Sequence, residues 1–358
     1  MSAADDPATA SEHDSSARVE LPDLSNALEV VERFLLGAEP GLTRGQVAER
    51  AGVPLEIAEQ LWRLLGFPNQ TDDALAFTEA DVEALRLTHD LVELGILGAD
   101  SQAALVRTWG RSYARLAEWQ TSLLAGVAVE GPDPESRLTD LAASVLPRVE
   151  TLQAYIWRRH LASATSRLLA GASRSAAETL QAVGFVDIVG YTSRSKTLAE
   201  GELVDWIEQF EDAATGIGVD HGGRIIKTIG DEVLFVADDA VTAAEIALVM
   251  TARGADEDDP FPSVRAGVAH GPVVSRLGDV FGATVNIASR LTSVARPGSV
   301  LVDRGANVAL TGHAADDTLD DDGVPDADAG ESAYRFRRMR RTSVKGYSRL
   351  QAWVVRRP

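Results

Sequence analysis

Apolar residues recur at two different spacings along this chain, and the change from one to the other falls near Gln181. Before it they return every three or four positions, as at Leu28, Val31, Leu35 and Leu36, and again at Val82, Leu85, Leu91 and Leu94. That spacing places them on one face of a helix. The pattern predicts helices over 21–180, punctuated at Asn69, Gly98, Gly110 and Gly131-Pro132-Asp133-Pro134. Residues 152–177, rich in Arg and Ala, predict one more helix that leads into the second half. Beyond Gln181 the run Ala182-Val183-Gly184-Phe185-Val186-Asp187-Ile188-Val189 reads as a buried strand. Leu203, Trp206, Ile207, Phe210, Ala214 and Ile217 then share one face of an amphipathic helix that Gly222-Gly223 ends. Strands follow at 224–229 and 232–236, on either side of Gly230-Asp231. A helix at 240–252, a strand at 264–269, a helix at 283–294 and a strand at 299–302 come next, and 334–355 reads as short strands. Strand, helix, two strands, helix, strand is the order of a ferredoxin-like α+β sandwich. The expected organisation is a disordered tail over 1–20, an all-α domain over 21–151, a helical linker over 152–180 and an α+β domain over 181–358.

With 358 residues the chain can bury two separate cores. It has no cysteine, which excludes disulfides, thiolate metal sites and cysteine nucleophiles. No stretch reaches the ~18 apolar residues of a membrane span, and Met1 to Ser16 lacks the basic and apolar segments of a signal peptide. A cytoplasmic location is expected. The net charge of −20 argues against a protein held on nucleic acid or anionic lipid by its overall field. Part of that charge is local, in Asp256-Glu257-Asp258-Asp259 and in the acidic insert over 316–331, which reads as a solvated loop facing the basic run 335–341. Among 34 basic residues only Lys196, Lys227 and Lys345 are lysines, so each lysine is informative.

Four segments of the second half stand out. They are Phe185-Val186-Asp187-Ile188-Val189-Gly190-Tyr191-Thr192, then Lys227-Thr228-Ile229-Gly230-Asp231-Glu232, then Gly278-Asp279-Val280-Phe281-Gly282 through Val285-Asn286-Ile287-Ala288-Ser289-Arg290, and last Val344-Lys345-Gly346-Tyr347. Read alone, Asp231 is good turn chemistry beside a glycine and Asp187 a solvated strand end. In this order and together, the four segments resemble the class III adenylyl and guanylyl cyclase catalytic domain, over about 181–358. The resemblance implies a reaction in which a ribose 3′-hydroxyl attacks the α-phosphorus of its own triphosphate and pyrophosphate leaves. It implies that Asp187 and Asp231, with the backbone carbonyl of Ile188, hold two Mg²⁺ or Mn²⁺ ions, which suits all-oxygen donors. No P-loop sequence is present, so cations and basic side chains must bind the phosphates.

Asn286 and Arg290 are four apart on a predicted helix and share a face. An amide beside a guanidinium can orient a ribose and stabilise charge on the α-phosphate, and the resemblance gives them that work. The plainer reading is a surface helix with an incidental arginine. Lys227 and Asp279 bear on the base. Adenine offers an acceptor at N1 and a donor at N6, which an ammonium and a carboxylate complement. Guanine inverts both positions. Two mismatched buried contacts at ~1–3 kcal/mol each correspond to roughly thirty-fold to ten-thousand-fold discrimination, so ATP is the expected substrate. Lys345 would meet the triphosphate. In the family the metal aspartates of one subunit face Lys227, Asp279, Asn286, Arg290 and Lys345 of its twin. A chain carrying both halves implies a symmetric homodimer.

In the helical half, Leu42-Thr43-Arg44-Gly45-Gln46-Val47-Ala48-Glu49-Arg50-Ala51-Gly52-Val53-Pro54 and the segments after it look like a MerR-type helix-turn-helix. Exposed positions of its second helix include Glu56, Glu59 and Gln60, with Arg63 the one cation, and acidic residues there repel phosphate. A helical module without a DNA role is the favoured reading; a DNA-binding regulator with a nucleotide-sensing cyclase-like domain is the alternative. The pairing of the two halves resembles bacterial class III cyclases with an autoinhibitory, pH-responsive N-terminal domain. His160, beside Arg158 and Arg159, titrates in the right range for a sensor, although a histidine in that setting is more often part of a solvated helix face.

Overall fold

The computed structural model describes residues 25–94, 99–129, 133–171, 179–312, 333–339, 342–344 and 347–358. The tail over 1–20, Gly98, Gly131-Pro132, residues 172–178, the acidic insert over 316–331, residues 340–341 and Lys345 lie outside the described residues. The chain divides into two units, Met1–Thr165 and Ser166–Pro358.

The first unit contains α1 (Ser25–Leu36), α2 (Arg44–Ala51), α3 (Leu55–Leu65), α4 (Glu79–Glu93), α5 (Ala99–Val129) and most of α6 (Pro134–Gly171). Helix α2 begins where Thr43 and Gln46 satisfy each other's backbone N–H groups in a capping box, and it ends at Gly52 with φ 72°. Leu42, Val47, Ala48, Val53, Ala58, Leu61, Phe77, Val82, Leu85 and Val106 form its core. Trp62 stacks on Phe77 with ring centroids 4.8 Å apart. Two expectations need correcting. Gly110 does not interrupt a helix but lies inside α5, where a Cβ would collide with the Leu65 backbone. Its smallness lets α5 approach α3, which is packing rather than punctuation. The helix expected from residue 152 begins instead at Pro134 and runs on through Pro147.

The second unit contains β1 (Thr179–Ile188), α7 (Tyr191–Arg194), α8 (Glu200–Asp220), β2 (Arg224–Ile229), β3 (Glu232–Ala237), α9 (Ala240–Arg253), β4 (Val264–Arg276), β5 (Asp279–Phe281), α10 (Ala283–Val294), β6 (Val300–Asp303), α11 (Arg304–Thr311), β7 (Arg335–Arg338), β8 (Thr342–Val344), β9 (Tyr347–Leu350) and β10 (Ala352–Arg356). The main sheet has the order β2-β3-β1-β4-β6-β10-β7, with β5 paired to β4. Its first four strands have the order expected of a ferredoxin-like sandwich. Two differences from the sequence reading concern length and number. Strand β4 continues past Ala269 to Arg276 because β1 pairs with it as far as Val273 and β5 from Val274 on, and α11, capped by the Asp303 side chain on Ala306 N–H, was not anticipated.

Side-chain alternation on β1 builds two cores. Ala182, Val186 and Ile188 face Trp206, Phe210, Ala214 and Ile217 of α8 and the apolar face of α9. Val183 and Phe185 face the other way, with Leu234, Val236, Val273, Val280 and Ala288 of α10. Helix α10 lies very close to the sheet. A Cβ on Gly267 would overlap Thr292 N and stand 2.6 Å from Ala288 O.

Candidate active site

Asp187 follows Phe185 by two positions on β1, so it lies on the α10 side of the sheet. In the β1–β3 register it stands opposite Glu232, and Ile188 N–H donates to Asp231 O across 3.1 Å. Strand end and hairpin turn are thereby fastened together, which sets the charge of Asp187 beside the Asp231 carboxyl. The Ile188 side chain is buried in the core, which leaves only its backbone for coordination. The chain leaves β1 through Gly190, with φ 76°, and Tyr191 then stacks on Trp206 to hold the turn.

Lys227 pairs in register with Leu234, so it too is on the α10 side. Its Nζ donates to Asp279 Oδ2 across 2.5 Å, joining the edge strand β2 to β5. Asn286 and Arg290 stand on α10 away from its buried residues Thr284, Ala288, Leu291 and Thr292. Asn286 is exposed and Arg290 half-buried. One face of the sheet thus carries two polar corners, the carboxylates at the β1 end and the Lys227–Asp279 pair at the β2–β5 edge, with α10 presenting an amide and a guanidinium.

The sequence pattern of the Adenylate and Guanylate cyclase catalytic domain matches residues 176–356. The chain belongs to this family. An "Adenylate cyclase" of Streptomyces coelicolor is 43% identical over 278 residues, covering 76% of this chain and 72% of that protein. An "Adenylate cyclase" of Streptomyces griseus is 41% identical over 288 residues, covering 79% and 72%. The "pH-sensitive adenylate cyclase MT1302" of Mycobacterium tuberculosis is 32% identical over 278 residues, covering 74% and 69%. Each aligned stretch is longer than all of 176–358 and so extends into the helical half of the cyclase.

The two corners of the cyclase domain differ in charge. At the first, burial and the charge of Asp187 raise the Asp231 carboxyl above its ordinary value, against the pull of a backbone hydrogen bond and of Arg265. Burial, then Asp187 and Asp231, push Glu232 up to about 7. Oxygen donors crowded so that Asp187 raises the proton affinity of Asp231, and both raise that of Glu232, fit a hard divalent cation. Among the described residues no group of three or more His, Cys, Asp or Glu could hold an ion. At the second corner, burial raises Asp279, but hydrogen bonds from Lys227 and from Val280 N–H more than offset this and hold it below the usual carboxylate range.

Sequence reasoning missed Arg265. It faces Asp187 in the β1–β4 register, donates to Asp187 Oδ2 from Nε at 2.7 Å, and reaches Ser293 O on α10 at 3.3 Å. One arginine in an arginine-rich chain carries no signal of its own; only the strand register singles it out. Glu232, left without a role in the sequence reading, joins the same corner.

In the helical half, Glu56, Gln60 and Arg63 of α3 are exposed, while Glu59 is half-buried and pairs with Arg44, which also pairs with Asp72. His160 lies on an exposed stretch of α6. Among the described residues no helix is long and apolar enough to cross a membrane.

Proposed function

We propose that this cyclase converts ATP to 3′,5′-cyclic AMP and pyrophosphate in a homodimer, with the N-terminal half controlling its activity. The observation that carries the choice of base is the 2.5 Å contact between Lys227 Nζ and Asp279 Oδ2. A donor and an acceptor are set side by side, as the N1 and N6 edge of adenine requires. On binding, the base inserts between them: Lys227 donates to N1 and Asp279 accepts from the N6 amino group. Guanine would set an N–H against the ammonium and a carbonyl against the carboxylate, leaving both protein groups unsatisfied.

Asp187, Asp231 and the Ile188 carbonyl would hold Mg²⁺ or Mn²⁺, which neutralises triphosphate charge and acidifies the 3′-hydroxyl. In the cyclisation the 3′-oxygen loses its proton and bonds to the α-phosphorus as the bond to the β-phosphate oxygen breaks. Asn286 orients the ribose, and Arg290 meets the charge that grows on the α-phosphate. Lys345 is assigned to the departing pyrophosphate as a compact point charge. Asp231 has Asp187 and Arg265 as its charged neighbours, whereas Asp279 has Lys227. That separation of partners supports a site completed by a second copy, the carboxylates of one chain facing the base-reading pair of the other. Control by the helical half is supported by the similarity extending into it and by the name of the pH-sensitive relative.

The test is to incubate the purified full-length chain with ATP or GTP and manganese. Cyclic AMP as the main product is expected; cyclic GMP in preference, or no product, rejects the reading. Asp187→Ala and Asn286→Ala proteins are each expected to be inactive, and their mixture to regain activity through one intact site.

A further inference from the structure

Helix α9 is packed on nearly every side, with eight of its 14 residues buried, and Glu245 is its single acidic residue. A half-buried carboxylate in such a helix needs partners, and both come from the far end of the chain. Tyr334 Oη donates to Glu245 Oε1 across 2.7 Å, and Arg357 Nη2 donates to Oε2 across 2.5 Å. Burial raises the Glu245 carboxyl, but these two hydrogen bonds and the Arg357 charge more than offset it and hold it below its ordinary range. The two partners bracket a ribbon. Tyr334 stands just before β7 and Arg357 just after β10, and the strands pair from Arg335 opposite Arg356 to Arg338 opposite Trp353. Pairing continues as Met339 N–H donates to Ala352 O across 2.9 Å. It runs on through β8 and β9, with Thr342 opposite Leu350 and Val344 opposite Tyr347. In sequence, the two residues that join this last pair are Lys345 and Gly346.

Strand β10 is held on its other side by β6, whereas β7 is the edge of the sheet. The start of β7 is fastened instead by Tyr334, which is buried and tied to Glu245. One carboxylate therefore holds both strands at the base of the ribbon. The fold alone gives little reason for it. Arg357 is half exposed, so its ion pair adds little stability, and a well-packed apolar residue at position 245 would serve a buried helix about as well. We propose that Glu245 is a positioning residue for the reaction, pinning both strands of the ribbon to α9 and so fixing where the ribbon delivers Lys345. The proposal rests on the assignment of Lys345 to the departing pyrophosphate. A lone two-stranded ribbon is only marginally stable in water, so its direction is set where it is anchored. A misplacement of about 1 Å at a reacting group can cost ~10²-fold.

The experiment measures ATP turnover, inhibition by pyrophosphate and thermal melting on the full-length chain. Its variants are Glu245→Ala, Glu245→Gln, Tyr334→Phe and Lys345→Ala, with the first three also combined with Lys345→Ala. Tyr334→Phe keeps the ring in the core and removes only the hydroxyl, so it carries the test if Glu245→Ala fails to fold. The expected result for Glu245→Ala and Tyr334→Phe is a loss of about tenfold in kcat/KM for ATP. Inhibition by pyrophosphate should weaken by a similar factor, while the preference for ATP over GTP stays unchanged. Glu245→Gln, which still accepts from Tyr334, should lose less. In the Lys345→Ala background the same substitutions should cost nothing further, because the group they position is gone. A role confined to stability gives lower melting with unchanged kinetics, or a loss that adds in full to that of Lys345→Ala. Either result overturns the proposal and leaves Lys345 in its role. If Lys345→Ala itself moves neither turnover nor pyrophosphate inhibition, the phosphate assignment fails and the proposal falls with it.

Discussion

Two corners on one face of the same sheet handle charge in opposite ways. At the β2–β5 edge Lys227 and Asp279 neutralise each other, and the carboxyl is held low. At the β1 end three carboxyl groups crowd together, Arg265 compensates only part of their charge, and Asp231 and Glu232 are pushed up. A balanced pair receives a neutral, hydrogen-bonding ligand by exchanging one partner for another, as an adenine edge requires. An unbalanced cluster gains most from a positive ion. In the proposed reading it is the local surplus of charge that sets the metal-holding position apart from the base-reading one, even though both are built from ordinary acidic and basic residues.

This contrast can be broken most severely at the unbalanced corner. Asp187→Ala is expected to lower cyclic AMP formation by roughly 10³-fold or more, because cation stabilisation is worth several kcal/mol. Manganese binding, followed by paramagnetic resonance, should weaken in parallel; retained turnover would reject the metal assignment. Next comes α10. Arg290→Ala is expected to cost about 10²–10³-fold in kcat, with manganese binding intact, and a change confined to KM would contradict its role at the α-phosphate. At the balanced corner, Asp279→Ala should reduce kcat/KM for ATP by about 10–100-fold while narrowing the preference over GTP. Competition assays with both nucleotides read that ratio directly.

The smallest effect concerns Glu232. Its folded pKa of about 7 lies above the ordinary value of 4.5. Folding therefore favours the protonated form, and the associated stability is lost as pH rises from the ordinary value through about 7. In chelator, the melting temperature of Glu232→Gln should accordingly gain on the wild type by a few degrees between about pH 5 and pH 8. A constant difference across that range would show that the cluster does not hold its charge as described.

How legible this was depended on whether local chemistry or strand pairing does the specifying. Helix α10 carries its period, its face and its Asn286–Arg290 spacing within twelve residues, and Gly230-Asp231 marks the β2–β3 turn, so those parts could be read directly. Asp187 and Asp231 were legible as a pair only through the resemblance to the cyclase domain, since read alone they are a strand end and a turn residue. Arg265 was not, since nothing local separates it from other arginines until β4 is placed beside β1. The extension of β4 was hidden for the same reason: Pro272 to Arg276 includes no regular alternation, and it is a strand because β1 pairs with it as far as Val273 and β5 folds back on the rest. Gly110 was misread because a glycine that ends a helix and a glycine that lets another helix approach look alike in one dimension.

The missing side chain at Gly267 has a consequence of its own. It sets how far α10 stands from the sheet, and therefore how far the amide and guanidinium on its outer side sit from anything bound at the strand ends. One added methyl would act as a shim beneath the helix. The spacing of α10 thus depends on an atom that is not there, behind the helix rather than on its outer side.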